Sequence, residues 1–221
     1  MREAKRIGTR AHCAAEAEFR AGESEFGIHM AYLHSAGQID AELPYASIVG
    51  LNHHGAVLHY SHFERQSPTH SLSLLIDAGA NGRGYASDIT RTHASPQAAP
   101  LQPLIDSMDA LQRELCDKVR SGQDYRQLHV DAHLLIAAVL KEHDFLRMSP
   151  ASAVTSGVSS TFFPHGLGHF IGLQVHDVGG FQKNAAGDSI AKPDGHPFLR
   201  LTRTLEPGMV VTIEPGLYFI D

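Results

Sequence analysis

Residues 71–92 read SLSLLIDAGANGRGYASDITRT, and the fold turns on them. An apolar run, Leu74-Leu75-Ile76, leads into Asp77. A glycine-rich centre follows, and the chain returns through Tyr85, Ala86 and Asp88 to Thr90. Two strand-like runs about such a centre predict an antiparallel hairpin. With Gly82-Arg83 at the tip, Asp77 lies directly opposite Asp88, and Gly79 opposite Ala86 is the next pair on that face. Opposed residues have Cβ atoms about 4.5–5.5 Å apart. Two facing carboxylates beside an apolar run are costly unless a proton or a cation lies between them. Gly79 and Ala86 are small and leave room for an ion held by carboxylate oxygens. A register slip of one residue would instead turn one aspartate to solvent. Asp88, before Ile-Thr, also reads as an ordinary turn acid.

Around the hairpin, helices come in runs. Residues 3–20 carry apolar residues at helical spacing; Gly22 ends the helix, and Ser24 caps a second over about 25–36. Residues 47–60, SIVGLNHHGAVLHY, change period: Ser47–Leu51 and Ala56–Tyr60 read as strands around a turn holding His53 and His54, both expected in solvent. Residues 101–119 and 124–142 read as amphipathic helices, the second entered near Asp124, and the Ser/Thr-rich 149–164 reads as loop. MVVTIEPGLYFI (209–220) reads as strand, Pro-Gly break, strand. Helices in runs between strand pairs predict an α+β fold with an antiparallel sheet.

The composition narrows the function classes. The chain has 221 residues and 43% hydrophobic content, enough for a real core. A net charge of −6 argues against nucleic-acid binding by a basic surface. No apolar run reaches the roughly 18 residues of a membrane span, so no membrane partner is expected. The N-terminal stretch is charged and lacks an apolar signal core. Cys13 and Cys116 form no disulfide framework, and a reducing cytoplasm is the expected compartment. The 16 histidines point weakly to metal or acid–base chemistry.

A second informative stretch is HGLGHFIGLQVHDVGG (165–180). Its glycines make it a poor helix and let a backbone pass close to a site. Each of His165, His169 and His176 reads either as a ligand or proton carrier, or as a hydrogen-bonded packing residue. Glu214 closes the apolar run MVVTI: a functional carboxylate or a solvated strand end. Arg200 and Arg203 are surface charges, or one of them holds a carboxylate in bidentate fashion. No Walker loop, Rossmann fingerprint or nucleophile elbow occurs.

Taken in order, IDAGA…SDITRT, HGLGHFIGLQVHDVGG and TIEPGLYFI resemble the pita-bread (creatinase/aminopeptidase-like) metallopeptidases: methionine aminopeptidase, aminopeptidase P and prolidase. PYASIVGLNHHGAVLHY and HPFLRLTRTLEPGMVVTIEPGLYFID are most similar to bacterial Xaa-Pro dipeptidases, including the organophosphorus-acid-hydrolysing prolidases. The resemblance implies that Asp77, Asp88, His169 and Glu214 are metal ligands, with Asp88 bridging and Glu214 also handling the proton of the nucleophilic water. It implies that His176 stabilises the tetrahedral intermediate, and that His59 and Arg200 grip the C-terminal proline. Two divalent ions, most often Mn2+ in bacterial prolidases, would be the cofactors.

The implied reaction is hydrolysis of the bond before proline in Xaa-Pro dipeptides, with organophosphate hydrolysis as a side activity. The alternatives are an aminopeptidase P-like exopeptidase and a non-catalytic pita-bread binding module. The family's fifth ligand, a glutamate on a later strand, would lie beyond Asp221, and its N-terminal domain would precede Met1. Residues 1–221 thus read as a catalytic domain lacking its C-terminal strands, weakly active or inactive alone, from a homodimeric parent.

Overall fold

The computed structural model describes residues 1–220 as two compact units. One comprises Met1–Gln102 with Ile171–Val175; the other comprises Pro103–Phe170 and the chain from His176 onward. The fold is α+β with antiparallel strand pairing, as expected. Among the described residues no helix is long and apolar enough to cross a membrane.

The first unit opens with α1 (Arg2–Ala21) and α2 (Glu25–Ala36). Ala4, Gly8, Ala11, Ala15 and Phe19 line the buried face of α1 at helical spacing, and most are small enough for close packing. Gly22 ends α1 at φ 87°, a left-handed cap that favours glycine. Ser24 Oγ accepts the Gly27 N–H at 3.1 Å and starts α2. Phe19, Ile28, Tyr32, Val49, Leu51, Leu74 and Ile76 form the core between these helices and the sheet.

That sheet has the order β1-β2-β5, from β1 (Ile48–Leu51), β2 (Ser73–Asp77) and β5 (Thr90–Ala94), all antiparallel. The two-residue strands β3 (Asn81–Gly82) and β4 (Tyr85–Ala86) form a separate ribbon. The hairpin exists, but its register differs from the expected one by two residues. Asp77 pairs with Thr90 and Asn81 with Ala86. The tip is Arg83-Gly84, both at positive φ (55° and 82°). A type I′ two-residue hairpin loop requires that conformation at both centres, and Gly84 suits the second. A shift of two preserves the faces: Asp88 moves from opposite Asp77 to diagonal from it.

Ala56–Tyr60 is not a strand. Asn52–Ala56 forms a 3-10 turn, and irregular chain follows. The cause is Glu25, buried on α2. Its carboxylate accepts the N–H groups of Leu51 (2.8 Å) and Glu64 (3.0 Å), the Tyr60 hydroxyl (2.8 Å) and a proton from His54 Nδ1 (2.7 Å). His54 is therefore tied down and half-buried, not a free solvated side chain. Burial pushes the Glu25 carboxyl up, but these four donors outweigh it and hold it below the ordinary carboxylate range.

The second unit contains α3 (Gln102–Asp117) from its second residue on, α4 (Tyr125–Glu142), α5 (Pro150–Thr155) and α6 (Val158–Phe162). Asp124 caps α4 by accepting the Arg126 N–H at 2.8 Å. The stretch expected as loop over 149–164 holds two short helices. Ser149 caps the first through the Ser152 N–H, with Pro150 at the first helical position. Residues 209–220 form no regular strand pair. Instead 167–170 and 211–214 run antiparallel, through a Phe170–Val211 bridge and the Thr212 N–H···O His169 (3.0 Å) and Glu214 N–H···O Leu167 (2.9 Å) bonds.

Candidate functional site

In the first unit, Asp77 ends β2 and Asp88 lies two residues before β5. The Tyr45 hydroxyl binds both carboxylates, 2.6 Å from Asp77 Oδ1 and 2.9 Å from Asp88 Oδ1. Burial, then the two aspartates, push the Tyr45 phenol well above its ordinary value, so it stays a donor. It has one proton for two acceptors. Two carboxylates converging on one phenol oxygen repel unless a further proton or a cation neutralises them. The space expected beside Gly79 is taken by this tyrosine. A Cβ on Gly79 would fall 2.6 Å from Tyr45 Cε1 and 2.7 Å from Pro44 Cγ, so glycine is what admits the ring. Ala86 does not face Gly79 but pairs with Asn81.

In the second unit, His169 Nε2 lies 3.1 Å from Glu214 Oε1. His169 Nδ1 is 2.8 Å from the Phe170 carbonyl, which only accepts, so that nitrogen carries the proton. A neutral ring so oriented turns its Nε2 lone pair toward a carboxylate oxygen. Two acceptors at 3.1 Å need a proton or a cation between them. A ring whose far N–H is fixed on a carbonyl is also how metal-ligating histidines are oriented. The donor chemistry on each unit therefore fits divalent ions.

Thr212 completes this cluster. Its hydroxyl donates to Glu214 Oε1 at 2.7 Å and accepts the His169 N–H at 2.9 Å. Tyr125, buried on α4, donates to the Thr212 carbonyl at 2.6 Å, and Gln112 on α3 donates to the Ile213 carbonyl at 2.8 Å. A Cβ on Gly168 would fall 2.5 Å from both Tyr125 Oη and the Thr212 carbonyl, which is why glycine stands there. The His176 ring packs edge-on against His169, with centroids 4.3 Å apart. Glu214 is thus held by a threonine and a histidine and is no free strand end.

His59 and Arg200, expected to grip the substrate, belong one to each unit. His59 is exposed at φ 57° in the loop held by Glu25. Arg200 is exposed between buried Leu199 and Leu201. Arg203 pairs with Glu206 at 3.1 Å and is a surface ion pair. His165 packs edge-on against Phe163 and Tyr218. Reading the sequence missed Tyr45 and Thr212. The only available signal was adjacency: Tyr45 lies just before β1, and Thr212 two residues before Glu214.

Metallopeptidase family M24 matches the chain over residues 1–221. A Xaa-Pro dipeptidase of Xanthomonas campestris pv. campestris is 59% identical over 221 residues, covering 100% of this chain and 50% of that protein. One of Stenotrophomonas maltophilia is 58% identical with the same coverage. The chain thus spans about half the length of the curated relatives it matches. Among solved structures, Pseudomonas aeruginosa aminopeptidase PepP superposes with a TM-score of 0.78 at 27% identity, covering 100% of this chain and 47% of that one. Escherichia coli aminopeptidase P with the inhibitor Pro-Leu gives 0.77 at 29% identity, covering 99% and 47%. The architecture is the pita-bread fold of these aminopeptidases. The chain belongs to metallopeptidase family M24.

Proposed function

We propose that this chain carries catalytic machinery of a Xaa-Pro dipeptidase. The observation that carries the reading is 59% identity to Xaa-Pro dipeptidases over the whole chain, supported by the convergence of Asp77 and Asp88 on Tyr45 and of His169 on Glu214. Asp77 and Asp88 in the first unit, and His169 and Glu214 in the second, are the ligands of two divalent ions. Mn2+ suits this set, because carboxylate oxygens outnumber imidazole nitrogen. When bound, such ions supply an activated water and polarise the amide carbonyl.

The chain's own groups do the rest. Glu214, fixed by Thr212, takes the proton of the attacking water and passes it to the leaving proline nitrogen. His176 donates to the oxyanion that develops on the amide carbonyl. Arg200 and His59 bind the proline carboxylate, and arginine's planar fork matches a carboxylate in bidentate fashion. A cytoplasmic setting, a homodimeric parent and an organophosphate side activity belong to the same proposal.

Assay of the full-length protein with Mn2+ tests it. A Xaa-Pro dipeptide should be cleaved, and Arg200→Ala should raise KM for it by about tenfold or more through loss of charge-assisted hydrogen bonds. Cleavage of longer Xaa-Pro peptides unaffected by Arg200→Ala would favour an aminopeptidase P, to which the solved structures are similar. No cleavage and no metal uptake would leave a binding module.

A further inference from the structure

Helix α4 buries a stripe of Tyr125, Leu128, Ala132, Ile136 and Leu140, and two histidines lie within it. His129 and His133 are 2% and 1% exposed. At i and i+4 on one helix, their rings share a face. His196, on the turn closed by Gly195 (φ 79°), comes against both. The three ring centroids lie 4.6–4.7 Å apart pairwise. One ring nitrogen from each residue falls within 4.8 Å of the other two. His129 Nε2 and His196 Nδ1 are already 3.0 Å apart.

Three buried or half-buried imidazoles are a poor way to fill a core. An apolar ring would fill the same space without polar nitrogens to satisfy. His129 Nδ1 is buried and has no hydrogen-bond partner. His133 Nδ1 lies 3.0 Å from Ser159 Oγ, so a proton on Nδ1 donated to that oxygen leaves Nε2 unprotonated. Burial lowers all three histidines, His129 to about 3 and His133 to about 4, and neighbouring rings lower those two further. All three rings are therefore neutral at pH 7, the form that binds metal. A cavity of about 190 Å3 lies against the three rings, bounded also by Phe163 and Phe198.

We propose that His129, His133 and His196 form a second metal site, for a zinc-class transition ion, with the fourth coordination position facing that cavity. The set is all nitrogen and shares no residue with the carboxylate-rich set above. Imidazole suits Zn2+, Co2+, Ni2+ and Cu2+, whereas carboxylates suit Mn2+. Zn–N bonds of about 2.0–2.1 Å put tetrahedral ligand atoms about 3.3 Å apart, so shifts of roughly an ångström close the site. The bound ion ties the turn at His196 to α4. That turn leads through buried Leu199 to Arg200.

The test uses metal-stripped full-length protein and Co2+ as probe. Asp77→Asn/Asp88→Asn protein should retain one equivalent of Co2+ with the strong visible absorption of a four-coordinate ion. Adding His196→Ala should abolish that absorption and weaken binding by more than about tenfold. His196 is half-buried on a turn, so this variant keeps its fold, which circular dichroism checks. In zinc-reconstituted protein otherwise wild type, His196→Ala should lower the bound zinc found by elemental analysis by one equivalent. Equal zinc with and without His196, or no visible absorption in the aspartate variant, would overturn the site. Neither result bears on dipeptide cleavage with Mn2+, which stands or falls separately.

Discussion

Thr212 donates its hydroxyl proton to Glu214 Oε1 at 2.7 Å, and its oxygen accepts the His169 N–H at 2.9 Å. One side chain thus sets the position of two proposed ligands. Thr212→Val keeps the shape and removes both bonds. It should cost about 1–2 kcal/mol of stability and lower kcat on Xaa-Pro dipeptides by roughly tenfold or more, with KM little changed. Thr212→Ser should restore most of the rate. Equal kcat in wild type and Thr212→Val would remove the positioning role.

Tyr45 supplies the one hydroxyl proton that the Asp77–Asp88 pair shares. Tyr45→Phe leaves two converging carboxylates without it. Metal-free protein should lose roughly 1–3 kcal/mol, and saturating Mn2+ should recover most of that, because the ion takes over neutralisation. Urea melts with and without metal measure both. A deficit that Mn2+ does not reduce would argue against the aspartates as ligands.

Glu25 ties α2 to the loop bearing His59. Glu25→Gln puts an N–H donor against groups that also donate. The expected cost is about 2–4 kcal/mol, with faster proteolysis within 52–64. The sign with pH follows from its lowered pKa. The wild-type carboxylate stabilises the fold above the ordinary value of 4.5 and loses this as pH falls through its lower folded value. The variant should therefore show a flatter acid limb, readable from thermal melts below that pH.

His12 Nε2 donates to the Ala78 carbonyl at 3.1 Å, and burial lowers the ring to about 4. The folded ring is neutral while the unfolded one takes up a proton near 6.5. Stability is full above pH 6.5 and falls as pH drops toward 4, by up to about 1.4 kcal/mol per pH unit from this residue. His12→Gln can keep the donor without titrating. Its stability should depend less on pH across that window; an unchanged slope would assign the acid sensitivity elsewhere.

Local chemistry carried much of the fold. The caps at Gly22, Ser24 and Asp124 and the apolar stripe of α4 act within a few residues, so α1, α2 and α4 were legible from order alone. Ser149-Pro150 was also a helix start, obscured by the Ser/Thr composition around it. The types of the candidate site residues were equally legible, because acids closing apolar runs and histidines among glycines are costly without a purpose. Tertiary structure decided what acts through space. Glu25 turned Ala56–Tyr60 from a strand pattern into a tethered loop, and Arg83-Gly84 moved the hairpin register by two. Tyr45 reaches its aspartates across 32 and 43 residues, and Thr212 reaches His169 across 43. A hydroxyl gains such a role only when folding removes water and places it between charged groups, and nothing in its sequence neighbours records that.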